Sequence, residues 1–243
     1  MPRFFVPKQE IGSSFLVLTG ENAAHAKVLR LKNGDDVTIC DGEGTDYICT
    51  VSDVANGQIS LVVHSADPSQ SEPKVACSVY MAFAKADKFE HVIQKATELG
   101  AAELVCFPSV RCVSRPDEKS LVKKLDRWQK IAASAAEQSR RGRIPQVIAL
   151  PSYSSALARA AEADLAVCFY ENEEQLTFRA AIEAAPFQTA SLLTGPEGGF
   201  ESEEVRQAAE AGLKICTLGS RILRCETAPL CALSALMYAT GEF

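Results

Sequence analysis

Two short stretches carry residues whose types and order suit chemistry as well as packing. The first is Leu192-Leu193-Thr194-Gly195-Pro196-Glu197-Gly198-Gly199-Phe200. An apolar run leads straight into three glycines and a proline, and acidic residues follow. Glycine is needed where φ is positive or where a ligand must approach the backbone, and proline shapes its neighbours. A strand-to-helix turn would account for the glycines and proline, but not for Glu197 set between them. The second stretch is Leu218-Gly219-Ser220-Arg221-Ile222-Leu223-Arg224-Cys225-Glu226-Thr227-Ala228. Arg221 and Arg224 are three apart, so a helical turn would send both to one side. An Arg–Glu surface pair, with Thr227 as a helix N-cap, is the alternative there.

Both stretches follow apolar runs that read as buried strands, and the surrounding chain repeats that arrangement. Strand candidates at 76–83, 104–107, 147–149, 165–170, 190–193 and 215–218 alternate with helix candidates at 88–99, 120–139, 154–163, 178–184, 203–211 and 229–239. Such alternation predicts an α/β fold, a parallel sheet covered by helices on both faces. In 88–99, Phe89, Val92, Ile93, Ala96 and Leu99 make one apolar stripe, so that helix packs one side on the sheet. Ligands of such sheets bind at the carboxyl ends of the strands, where the two stretches lie.

The residues before 70 read differently. Short β-rich runs at 4–6, 15–18, 36–40, 46–51 and 58–64 surround one helix at 22–30, with hairpin turns at Gly42-Glu43-Gly44 and Asn56-Gly57. The polar, proline-bracketed stretch 67–73 reads as a linker, which divides the chain into 1–70 and 74–243.

Composition narrows the classes. Hydrophobic residues make up 47% and charged residues 23% of 243, an ordinary globular balance. No apolar run approaches the roughly twenty residues of a bilayer crossing, and the start of the chain lacks a signal-peptide pattern. The dinucleotide glycine fingerprint, the Gly-Lys-Ser/Thr phosphate loop and the Gly-x-Ser-x-Gly elbow are missing. Nine cysteines and three histidines show no metal-ligand or disulfide spacing, which predicts reduced thiols, no metal and a cytoplasmic location. The net charge of −6 is uneven: +3 over 1–32, −8 over 33–110, +6 over 111–143 and −7 over 144–243. Basic clusters at Arg111/Arg115 and Arg140/Arg141/Arg143 flank a long helix, so a local phosphate partner is expected despite the acidic total.

Together the two stretches resemble the Gly-Pro-Glu-Gly-Gly and Leu-Gly-x-Arg-Ile-Leu-Arg-x-Glu-Thr-Ala signatures of the 16S ribosomal RNA uracil-N3 methyltransferases, the small-subunit methyltransferase E family of the SPOUT superfamily. The resemblance spans nearly the whole chain. It continues in Pro2-Arg3-Phe4-Phe5-Val6, His25 with Val28-Leu29-Arg30, Lys85-Ala86-Asp87-Lys88-Phe89-Glu90, Gln94-Lys95-Ala96-Thr97-Glu98-Leu99-Gly100, Arg127-Trp128, Glu137-Gln138-Ser139, Arg141 and Ile144-Pro145. Cys112 departs from the pattern, where the family more often has serine after the arginine.

The resemblance implies a small N-terminal PUA-like β-barrel that helps hold RNA, and a C-terminal α/β domain threaded as a trefoil knot. It implies S-adenosylmethionine as cofactor, 16S rRNA of the 30S subunit as substrate, and a homodimer. By position, Glu171, Thr194, Gly195, Pro196, Glu197, Gly198, Gly199, Leu218, Gly219, Ile222, Leu223 and Arg224 would hold the cofactor. Glu197 would either complement positive charge on the ligand or brace the loop. Arg224 would stabilise charge on the uracil carbonyls and Glu226 would serve as general base. Arg3, Arg30, Arg111, Arg115, Arg140 and Arg141 would meet phosphates, with His25 either helping or packing. Two other readings fit the same residues: a SPOUT enzyme acting on another RNA, and a non-catalytic RNA-binding protein.

Overall fold

The computed structural model describes residues 1–85 and 87–243, so Ala86 of the Lys85–Glu90 match lies outside the described residues. It divides into two units, Met1–Glu72 with Ala136–Ile144, and Pro73–Ala135 with Pro145–Phe243. The return of 136–144 to the first unit has no counterpart in the local sequence pattern.

In the first unit, β1 (Arg3–Phe5), β2 (Phe15–Leu18), α1 (Gly20–Val28), β3 (Asp36–Cys40), β4 (Thr45–Ala55) and β5 (Gln58–Pro68) form one sheet and one helix. The strand order is β1-β3-β4-β5-β2, with β1 parallel to β3 and the other pairs antiparallel. Asn56 and Gly57 both take left-handed φ, 52° and 74°, which matches the twist of the β4–β5 hairpin. Both strands run beyond their expected ends. Register shifts at Ile48/Cys49 and Val51/Asp53 let the ladder continue, so Asp67 and Pro68 pair with Asp46 and Thr45 rather than beginning a linker. Phe4, Leu16, Leu18, Ala26, Val37, Ile39, Cys49, Val51, Ile59 and Leu61 share one core. The sheet therefore curls around that core as a half-barrel, with β1 and β2 as its edges, in place of a closed barrel.

The second unit contains β6 (Ala76–Ala82), α2 (Lys88–Glu98), β7 (Glu103–Phe107), the start of α3 (Glu118–Gln138), β8 (Gln146–Ala149), α4 (Tyr153–Ala160), β9 (Leu165–Phe169), α5 (Phe178–Glu183), β10 (Thr189–Thr194), α6 (Ser202–Glu210), β11 (Lys214–Cys216) and α7 (Thr227–Ala239). All six strands are parallel in the order β11-β9-β10-β6-β7-β8. The expected parallel sheet is present, and its central strands are buried because helices cover both faces. Phe89 of α2 meets Trp128 of α3 edge-on at 4.9 Å, and Trp128 is a core residue.

Two local expectations fail at the C-terminal loop. β11 stops at Cys216 and the chain then runs without a helical turn, so Arg221 and Arg224 are not paired on a helix face. The N-cap of α7 is Glu226, with Thr227 its first residue. All nine cysteines are free thiols, and only Cys231 is exposed. Among the described residues no helix is long and apolar enough to cross a membrane.

Candidate functional site

The carboxyl ends of β9, β10 and β11 are neighbours in the sheet, so the loops leaving them must converge. They surround a cleft of ≈ 900 Å³ together with the start of α2. That size falls within the roughly 300–1,000 Å³ of small-molecule sites. Glu171, Thr194, Gly195, Pro196, Glu197, Gly198, Gly199, Leu218, Gly219, Ile222, Leu223 and Arg224 all line it. Sequence reasoning missed Lys88, Tyr170, Glu173, Glu174, Thr217 and Cys225 on its walls, while Ser220 and Arg221 fall within the 218–224 loop it placed there. For Lys88 the signal was available, since it lies in the Lys85–Glu90 match.

The glycine loop is built by contacts on both sides. Thr194 is buried, and its hydroxyl donates to the Tyr80 carbonyl at 3.1 Å, which ties the end of β10 to β6. The Gly199 N–H donates to the Pro196 carbonyl at 3.0 Å, closing a turn at φ +67° for Gly199. A Cβ at Gly199 would collide with the Glu171 carboxylate, so only glycine fits there without displacing that side chain. Arg111 donates to the Gly198 carbonyl at 2.9 Å, and its Nε lies 3.7 Å from Glu201.

Charge on the walls is arranged unequally. Glu197 accepts from the Lys85 N–H at 2.8 Å and lies 3.4 Å from the Lys88 ammonium, so its geometry is that of a brace. Burial alone would raise the Glu197 pKa, but that amide and Lys88 outweigh it and hold the carboxyl below its usual range. Glu226 lies 3.3 Å from Lys88 and accepts from the Cys225 thiol at 3.2 Å. Burial again pushes up, while its own N–H, the thiol and Lys88 bring the net shift of Glu226 down. Burial raises the Cys225 thiol to about 11, so it stays a neutral donor. Glu173 caps its own turn through the Gln175 and Leu176 N–H groups. Among the described residues the Glu171 and Glu174 carboxylates and the Arg221 and Arg224 guanidinium groups carry no ion pair, and Ile222 is 88% exposed between the two arginines. A wall of unpaired carboxylates and exposed glycine backbone facing unpaired guanidinium groups suits a ligand with cationic and hydrogen-bonding parts beside an anionic partner.

The arginines expected to meet phosphates separate into groups. Arg3 is held by Asp46 through contacts of 2.7 and 2.6 Å and donates to the Arg141 carbonyl, with its side chain 11% exposed. Arg141 is buried against Glu72 at 2.6 Å. These guanidinium groups face carboxylates inside the first unit and would have to leave them to reach a phosphate. Arg115 donates to the Ser109 carbonyl at 2.5 Å and braces its own loop, as Arg111 braces the glycine loop. His25 pairs with Glu137 at 3.0 Å and meets Phe4 edge-on, the packing alternative for that residue. Arg30 and Arg140 are exposed and carry no side-chain ion pair among the described residues. Both take left-handed φ, 57° and 63°, just past the ends of α1 and α3.

Comparison with known proteins bears on the same residues. The chain matches the RNA methyltransferase domain family over residues 71–237 and the RNA methyltransferase PUA domain family over 18–63. It is 36% identical over 249 residues to ribosomal RNA small subunit methyltransferase E of Bacillus subtilis, covering 99% of this chain and 97% of that protein. The crystal structure of the Neisseria gonorrhoeae ribosomal RNA small subunit methyltransferase E, bound to S-adenosyl methionine, superposes with a TM-score of 0.87 at 30% identity, over 100% of this chain and 99% of that one.

Proposed function

Because the chain belongs to the ribosomal RNA small subunit methyltransferase E family, we propose that it methylates 16S rRNA of the 30S subunit at N3 of a uridine, using S-adenosylmethionine. The observation that carries this reading is the cleft itself, where the glycine loop, Glu171 and the loop bearing Arg224 meet. When bound, S-adenosylmethionine supplies a methyl group on a sulfonium, and transfer requires nucleophile, methyl and sulfur in line. The glycine loop backbone and the 218–223 loop would hold the cofactor, and the Glu171 carboxylate, which carries no ion pair among the described residues, would complement its positive charge. Uracil N3 carries a proton near neutral pH, and its removal builds charge on the two flanking carbonyl oxygens. The exposed, unpaired Arg224 guanidinium stabilises that charge. Glu226 is the proton acceptor closest to it in sequence, although its lowered pKa limits its strength as a base.

The test is methyl transfer from labelled S-adenosylmethionine to 30S subunits from cells lacking this gene, followed by reverse transcription. Methylation at N3 blocks base pairing, so one new stop at a uridine is the expected result. Label uptake without a stop would move the target atom, and no uptake would send the reading to another RNA or to a non-catalytic binder.

A Gly199→Ala variant isolates the cofactor side. Alanine in the left-handed region costs about 1–2 kcal/mol, and its Cβ displaces Glu171 from the wall. The free loop then relaxes away from its binding shape, so cofactor affinity falls by about tenfold or more, measured by calorimetry.

The first unit, residues 1–72 with 136–144, acts as the RNA-holding PUA-like part and the second as the catalytic part. Arg30 and Arg140 support RNA contact here, because non-glycine residues past helix ends are strained in the left-handed region. Arg30→Gly and Arg140→Gly are each expected to keep or raise the melting temperature. Each also weakens RNA binding and flattens the slope of affinity against salt by about one unit. A stability gain with unchanged RNA affinity would leave only a capping role.

The knot is supported by the chain's path, in which α7 returns from the edge strand β11 to pack on α2, β6 and β10. A homodimer accounts for α7, whose outward residues Cys231, Ala235, Tyr238 and Ala239 are exposed although the helix is apolar nearly all round. Nine free thiols suit the reducing cytoplasm.

A further inference from the structure

Lys88 stands at the first position of α2, where a cation opposes the positive end of the helix dipole. Glu90 lies in the same first turn, and the partners of Lys88 come from outside the helix. Its ammonium lies 3.4 Å from Glu197 on the glycine loop and 3.3 Å from Glu226 at the cap of α7, and it donates to the Cys225 sulfur at 3.5 Å. One ammonium therefore makes two ion pairs and one hydrogen bond. The partners are themselves tied, Glu197 by the Lys85 N–H at 2.8 Å and Glu226 by the Cys225 thiol at 3.2 Å. An isolated exposed pair of this kind would contribute little. Here one partly buried side chain joins two loops that leave different strands and that have no shared backbone ladder.

We propose that Lys88 is a positioning residue that fastens both loops of the cleft to the start of α2, so that they present one preformed surface to S-adenosylmethionine. The inference rests on the methyltransferase reading above. Lys88 itself pairs with carboxylates rather than with the reacting atoms. Its effect passes through Glu197 to the glycine loop and through Glu226 and Cys225 to the loop bearing Arg224. Preorganised loops lose less freedom on binding, so removing the fastening weakens cofactor affinity.

Calorimetric titration with S-adenosylmethionine tests this on the full chain. Lys88→Met keeps the apolar stem as far as Cε and removes the ammonium; its affinity is expected to fall about tenfold. Lys88→Arg restores a cation and should return to within about threefold of the wild type. A Glu197→Gln/Glu226→Gln double variant cuts the same ties from the other side. It is expected to lose as much, and adding Lys88→Met to it should cost little more. That double variant also carries the test if Lys88→Met does not fold. Wild-type protein that binds cofactor while Lys88→Met and the double variant bind within twofold of it would overturn the role of Lys88 alone. Wild-type protein that fails to bind would overturn the methyltransferase reading and this inference with it.

Discussion

An Arg224→Ala enzyme is expected to transfer methyl about a hundredfold more slowly in a single turnover, with cofactor and 30S subunits both saturating. The magnitude follows from removal of one preorganised donor to a developing oxyanion, which typically costs about 10²–10³ in rate. The geometry makes Arg224 the residue to test, because its guanidinium carries no ion pair among the described residues and lies on the cleft wall. Its main chain is held in place, since the Arg224 carbonyl accepts from the N–H groups of Thr227 and Ala228 at 2.8 and 3.0 Å. The loop therefore keeps its shape when the side chain is truncated. Cofactor affinity should change by only a few fold, so the loss appears in the rate at saturation. Arg224→Lys keeps a positive charge but not the planar fork, and an intermediate rate is expected. An unchanged single-turnover rate for Arg224→Ala would remove this assignment. A Glu226→Gln enzyme with an unchanged pH–rate profile would remove the general base.

Arg141→Ala carries the largest expected loss of stability. The Arg141 side chain is 4% exposed and meets Glu72 through contacts of 2.6 and 3.3 Å. Glu72 also accepts from the N–H groups of Gly142 and Arg143, at 2.8 and 3.1 Å. One carboxylate thus holds a buried guanidinium and two main-chain donors of the returning segment. Removing the guanidinium leaves that part-buried carboxylate without its counter-charge, a change that costs up to roughly 3–5 kcal/mol. For a chain of this length each kcal/mol moves the melting temperature by about 2–4 °C. A fall of roughly 10 °C is therefore expected by calorimetric scanning. Arg141→Lys should recover only part of it, because lysine cannot make the paired contact. The salt slope of RNA affinity should stay unchanged. A flattened slope with unchanged melting temperature would return Arg141 to the phosphate-facing set.

These two arginines show where sequence reasoning succeeds and where it stops. Arg224 sits in a stretch whose glycine, paired arginines and glutamate are contiguous, and its place on the cleft follows from the strand before it. Arg141 belongs to a basic cluster that looks much the same in one dimension, yet its partner is Glu72, 69 positions away. Arg3 is the same case, paired with Asp46 across the sheet. Charge counted along a segment records how many cations there are, not which of them already face a carboxylate. Lys88 illustrates the converse, since its three contacts come from residues more than a hundred positions later.

The parallel α/β pattern, the β-rich start, the two chemical loops and the family are legible in one dimension, because each depends on periodicity or on residues adjacent in the chain. Element ends were less legible. β11 stops at Cys216 and β5 continues through Pro68 because strand length depends on the neighbouring strand and its bulges. The return of 136–144 to the first unit, the open curl of its sheet and the sorting of arginines into paired and unpaired emerge only in three dimensions. Those features rest on distances between residues far apart in the chain, and such distances exist only once the strands have paired and the core has closed.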